Sequence, residues 1–159
     1  MDNIKIFYPA SMGGIGLFSD ELYCIDSKLY NTEGITDYTG ILVNSHGKFW
    51  YQYGKRHRVD GPAIEWADGT KEWYQDGKHH RLDGPAVERA NGNKIWYHQG
   101  KPHRLDGPAY EYYNSHTSWY NHDKRHRIGG PAYEDYRGRK EWWTNGKQIT
   151  KQTRIICIR

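Results

Sequence analysis

One spacing constrains this chain more than any other: an aromatic pair recurs every 23 residues. Trp50-Tyr51, Trp73-Tyr74, Trp96-Tyr97, Trp119-Tyr120 and Trp142-Trp143 keep that period with no insertion. In register with them run Lys55, Lys78, Lys101, Lys124 and Lys147, then His57, His80, His103 and His126, then Arg58, Arg81, Arg104 and Arg127. A fixed period of this length marks a repeat architecture, in which one small unit is stacked because it cannot bury its apolar face alone.

The unit reads W-Y-x-x-[GD]-K-x-H-R-x-[DG]-G-P-A-x-E, and its punctuation is that of a β-hairpin. QDGK and TNGK carry Asp-Gly and Asn-Gly turn signals beside an aromatic strand such as KEWYQ, while ADG and ANG mark a second turn. Two short strands and two turns are expected in each repeat. The segment GPAVE or GPAYE enters through Gly-Pro, whose missing N–H places it at a strand start or edge. Comparing copies sorts the faces. The position after Ala is Ile64, Val87, Tyr110 and Tyr133, and the position after Arg is Val59, Leu82, Leu105 and Ile128, so both are expected to point inward. Trp66, Arg89, Tyr112 and Asp135 share no chemistry and are expected to face solvent in at least some copies.

Composition sets how thick such a fold can be. Leu, Ile, Val and Phe supply only 25 of 159 residues, a level that normally warns of disorder. Seven Trp and 14 Tyr compensate, because their rings bury large areas while keeping a polar handle. The expectation is an ordered, shallow, all-β protein: an antiparallel β-hairpin repeat solenoid, an elongated twisted sheet with atypical capping segments at both ends. Residues 1–46 read as an N-terminal cap in which NIKIFY and ELYCID are candidate capping strands and KLYNTEG to ITDYTGILVNSHGK a candidate degenerate repeat. Residues 47–149 hold four full repeats and one partial repeat, and 150–159 read as a C-terminal capping strand.

The chain resembles a MORN-repeat protein. WYQDGKHHRLDGPAVERANGNKIWY follows the layout W-x-x-G-K-x-H-G-x-G with an aromatic strand and a second turn, and departs from it at His80-Arg81-Leu82-Asp83-Gly84. It is more similar to the variant GKxHRxDGPA repeats of phage, large-virus and bacterial proteins. The resemblance spans about residues 47–149. It implies a hairpin-repeat architecture and an interaction scaffold, and its phage and viral flavour narrows the expectation to an inhibitor of a host factor such as a bacterial immunity component.

Each repeat also contains residues from which an acid-base site could be assembled, such as His57, Arg58, Asp60 and Glu65. Copy number argues against it. An active site is usually one constellation of unlike groups, whereas a group recurring in every repeat is a structural ladder. Metal binding fails on distance: equivalent positions two strand spacings apart lie roughly 10 Å from one another, too far for the repeated histidines to share one ion at about 2.0 to 2.3 Å. No catalytic residue, metal or cofactor is therefore expected. Arg58 and Asp60 are two apart on an extended segment and so share a side, as do Arg81 with Asp83 and Arg104 with Asp106. Glu65, Glu88, Glu111 and Glu134 offer further partners. In the last copy Gly129 replaces Asp, which leaves Arg127 to Glu134, solvent or a ligand.

Two functions remain in view. The first is a non-catalytic protein-binding repeat module whose partner is a host or cellular protein or a second copy of itself, since open sheet edges and exposed aromatics are attachment surfaces. The second is binding or sequestering of nucleotide or nucleic acid by a row of Arg58, Arg81, Arg104, Arg127, His57, His80, His103 and His126 flanked by Trp73, Tyr74, Trp96, Tyr97, Trp119 and Tyr120. The net charge of +4 is mild for extended duplex binding. An enzyme centred on the unique N-terminal segment carries the least weight. Cys24 and Cys157 lie near opposite ends in no metal-ligand spacing, so two thiols in a reducing compartment are the default and a disulfide between them the alternative. The N-terminal stretch lacks a basic region and a long apolar run, which points to a cytoplasmic location without membrane insertion.

Overall fold

A computed structural model of the chain describes residues 5–7, 23–25, 28–31, 34–35 and 38–150, with side chains from 38 onward. The expected capping strand beyond Thr150, and Cys157 with its pairing, lie outside the described residues. All the regular structure is β, and no described segment is helical. Among the described residues no helix is therefore long and apolar enough to cross a membrane.

The chain divides into two compact units, Met1–His79 and His80–Arg159. In the first, antiparallel strands run in the order Lys5–Phe7, Gly40–Asn44, Gly47–Gln52, Ile64–Trp66 and Lys71–Glu72. A separate sheet pairs Tyr23–Ile25, Lys28–Asn31 and Gly34–Ile35. Phe49 faces Ile64 across the main ladder, and both belong to a core with Leu42, Tyr51, Ala63 and Tyr74. In the second unit, Val87–Glu88, Lys94–Ile95, Tyr110–Glu111, Thr117–Ser118, Tyr133–Glu134, Lys140–Thr144 and Lys147–Ile149 follow one another as antiparallel neighbours. The chain is a β-hairpin repeat protein.

The middle repeats hold more strand segments than the two expected, because Trp73, Trp96 and Trp119 each break a strand, whereas Trp50 and Trp142 stay inside the strands Gly47–Gln52 and Lys140–Thr144. Lys94–Ile95 is followed by Trp96 and then by Tyr97–His98, which pairs with Lys101–Pro102 in a separate two-stranded ladder. Trp119 similarly separates Thr117–Ser118 from the pair Tyr120–Asn121 and Lys124–Arg125. The Trp backbone bonds within its own repeat. Trp50, Trp96 and Trp119 donate their N–H to Ala63, Ala109 and Ala132 at 2.7 to 2.8 Å, and their carbonyls accept the N–H of His57, His103 and His126. The alanine of every GPA is fully buried, which leaves no room for a larger side chain at that close approach. The small hairpins also bond to one another: Arg104 N–H donates to Tyr120 and Asp123 N–H to Pro102.

The hairpin turns carry two consecutive residues at positive φ, as in Asp76-Gly77, Gln99-Gly100 and Asn145-Gly146. This is the type I′ pattern that matches the right-handed twist of the flanking strands. His122-Asp123 is the copy without glycine, with φ of 45° and 72°. A non-glycine residue in this region costs about 1 to 2 kcal/mol, and Asp123 is exposed. Asp123→Gly should therefore raise stability by about 0.5 to 1 kcal/mol after the added entropy of the unfolded glycine is deducted. Urea unfolding at neutral pH measures it; a loss of stability would show that the turn is not under this strain.

Candidate functional site

The repeated arginines fold back on their own loops. Arg58, Arg81 and Arg104 donate from Nε to Asp60, Asp83 and Asp106 at 3.0 to 3.1 Å, and from Nη1 to the carbonyls of Pro62, Pro85 and Pro108 at 3.2 to 3.3 Å. The same Nη1 pairs with Glu65, Glu88 or Glu111 at 3.5, 2.9 and 2.6 Å. Guanidinium carbons sit 4.2 Å over Trp50 for Arg58, and 4.0 Å over Trp96 and Trp119 for Arg104 and Arg127. The stacking explains the glycine before each proline: a Cβ at Gly61, Gly84 or Gly130 would stand 2.9 Å from the guanidinium carbon, and at Gly107 closer still. The bond from arginine holds the carboxyls of Asp60, Asp83 and Asp106 below their ordinary pKa.

The repeated histidines join one repeat to the next. Nδ1 of His57, His80, His103 and His126 accepts the backbone N–H of Asp76, Gln99, His122 and Asn145 at 3.1 to 3.3 Å. Each acceptor serves the first positive-φ residue of the following hairpin turn. An N–H can only donate, so Nδ1 is the acceptor in each of these bonds. In the second unit His80, His98, His103 and His122 gather in one cluster, with ring centroids 5.1 Å apart for His80 and His98 and 3.9 Å for the stacked pair His103 and His122. Burial lowers the pKa of His80 and His103, and repulsion from neighbouring histidines lowers it further.

The aromatic residues are used in packing. Tyr74 is buried and donates to Glu72 at 2.9 Å, while Trp66 Nε1 and His79 Nε2 contact the same carboxylate at 2.9 and 2.8 Å. Burial alone would raise the Glu72 pKa, but bonds from His79, Trp66 and Tyr74 outweigh it and hold it at about 2. Glu141, three repeats later, receives Trp143 Nε1 and Arg125. Tyr97 and Tyr120 meet Tyr110 edge-on at 6.4 and 5.3 Å, and burial first, then Tyr97, pushes the Tyr110 phenol up. Trp73 is half-buried.

The expectation that the residue after arginine points inward is corrected by the structure. Val59, Leu82, Leu105 and Ile128 are 79, 82, 82 and 87% exposed. They sit in the loop where the backbone has left the ladder and the arginine has turned inward over glycine, so the next side chain projects outward. Residues after alanine do turn in, with Ile64 and Val87 buried and Tyr110 and Tyr133 half-buried. Of the residues expected at solvent, Arg89 is exposed, whereas Trp66, Tyr112 and Asp135 are half-buried.

In the second unit two consecutive loops enclose an open cleft of about 660 Å³. Leu82 and Leu105 flank it, with Trp96, Tyr97, His98 and His103 among its lining. Sequence reasoning missed this pair of exposed leucines and the contribution of His98, although an apolar residue kept inside every polar loop was the available signal. Among the described residues no group of three or more His, Cys, Asp or Glu is placed to hold a metal ion. No protein-family model, curated protein or solved structure matches the chain.

The histidine links give the fold a defined pH response. Folded His80 and His103 titrate below the ordinary value of 6.5, so near that pH the unfolded chain binds more protons. The stability they contribute is complete above about 6.5 and is lost as pH falls through it. The unfolding free energy in urea should drop between about pH 7.5 and 5.5, above the range where ordinary carboxylates titrate. His103→Gln, whose amide oxygen accepts the same N–H without titrating, should weaken the dependence. A flat profile in the wild-type protein would contradict this role.

Proposed function

We propose that this chain is a non-catalytic, MORN-like protein-binding module whose repeats present their loop aliphatics to a protein partner. The observation that carries this reading is the exposed position held by Val59, Leu82, Leu105 and Ile128. Single exposed aliphatics are ordinary, but this one recurs in each repeat at a site that makes no use of it for the core. In the second unit Leu82 and Leu105 flank an aromatic cleft, the combination of apolar rim and ring-lined floor in which interface energy concentrates. The resemblance to phage and viral repeats directs the first search for a partner to host immunity factors in the cytoplasm. Nucleotide or nucleic-acid binding draws less support, because the forks of Arg58 and Arg104 are already turned onto their own carboxylates, proline carbonyls and indoles.

Leu82→Lys combined with Leu105→Lys tests the reading. Both side chains are exposed, so the fold should keep its stability to within about 0.5 kcal/mol per site. Recovery of the stoichiometric partner from native cell lysate should fall at least about tenfold, equivalent to about 1.4 kcal/mol. Undiminished recovery with an intact fold would overturn the proposal, as would recovery of nucleotide or nucleic acid in place of a protein.

A further inference from the structure

The fourth copy of the arginine loop differs from the others in a way that leaves a charge unanswered. Gly129 occupies the position of Asp60, Asp83 and Asp106, with φ of 79° and nothing within 4 Å of where a Cβ would stand. The other carboxylate is also diverted. Glu134, equivalent to Glu65, Glu88 and Glu111, pairs with Lys140 at 3.1 Å. Asp135 is committed to the backbone N–H groups of Arg137 and Arg139. Arg127 keeps the rest of the arrangement: its Nη1 donates to Pro131 at 3.0 Å and its guanidinium lies 4.0 Å over Trp119. Among the described residues it has no carboxylate partner.

We infer that Arg127, held flat on Trp119, is a docking site for a carboxylate supplied by the protein partner, an Asp or Glu side chain set beside an apolar residue that meets Ile128. This rests on the protein-binding reading above and specifies the partner's chemistry. The other repeats display the complex this site would make. In each, a carboxylate oxygen lies 3.0 to 3.1 Å from the arginine Nε, at the edge of the guanidinium that remains when the face is stacked and Nη1 holds a proline carbonyl. In the Arg127 loop the position that holds the acid elsewhere is Gly129, which has no side chain to offer. A planar guanidinium fixed by an indole and a carbonyl loses little freedom on accepting a carboxylate. Neighbouring Ile128, 87% exposed, gives the ion pair an apolar shoulder that reduces competing water. The pairing thereby selects among partners that meet the other loops equally well, since among the described arginine loops only the fourth lacks an acid at this position.

Acetate is the probe, because it is the terminal fragment of an aspartate side chain and requires no identified partner. With the full chain labelled with nitrogen-15, sodium acetate is titrated against an equal ionic strength of sodium chloride while the arginine Nε–H resonances are followed. The Arg127 resonance should shift saturably and at least threefold further than those of Arg58, Arg81 and Arg104. Equal shifts at all four, or none at Arg127, would overturn the site. Arg127→Gln keeps a planar amide over Trp119 without the charge, and should lower recovery of the protein partner at least fivefold. Unchanged recovery with that variant would overturn the assignment of the carboxylate to a partner. Failure of either measurement leaves the Leu82 and Leu105 result standing, so the two proposals fail separately.

Discussion

The arginine that follows each repeated histidine is the point on which the rest of the repeat depends. Its side chain closes the polar loop from within: Arg104 joins the Asp106 carboxylate, the Pro108 carbonyl, Glu111 on the next strand and the face of Trp96. A chain with few aliphatic residues cannot close such a loop by burying it. A stacked fork with several hydrogen bonds does so with one side chain. It also explains the sequence around it, since glycine is required under the guanidinium and alanine where the tryptophan backbone makes its bond.

A second constraint is the connection between repeats. Trp73, Trp96 and Trp119 take the chain out of one ladder and into another, and the next hairpin turn is held by a histidine acceptor 19 residues earlier. This link depends on a neutral ring. Burial of His80 and His103, and then the neighbouring histidines, make their protonation unfavourable, so repeat cohesion and proton uptake are opposed. Where Val59, Leu82, Leu105 and Ile128 project from this framework, the core makes no use of them, and there the proposed binding surface lies.

Much of this was legible before the structure. The period, the all-β class and the turn chemistry follow from spacing and from Asp-Gly and Asn-Gly pairs, because those signals are local. The pairing of Arg81 with Asp83 was equally readable, since two residues on an extended segment share a side. What failed was the facing of Leu82 and Leu105. Alternation holds only while the backbone stays in a ladder, and the loop from arginine to proline lies outside it. The strand break at Trp96 was hidden for the related reason that its partners, Ala109 and His103, are distant in sequence. Arg127 stands between these cases: the missing acid at 129 was visible, but only the structure revealed that Glu134 turns to Lys140.

The most direct test of this account is the equilibrium unfolding of Arg104→Ala and Arg104→Lys in urea at neutral pH. If the fork holds the loop, alanine should cost about 2 to 3 kcal/mol by leaving Glu111 and a backbone carbonyl without their donor. Lysine should recover less than half of that, because it restores charge without the planar, multidentate geometry. Wild-type stability in the alanine variant, or full rescue by lysine, would contradict the claim that the arginine clasp organises the repeat.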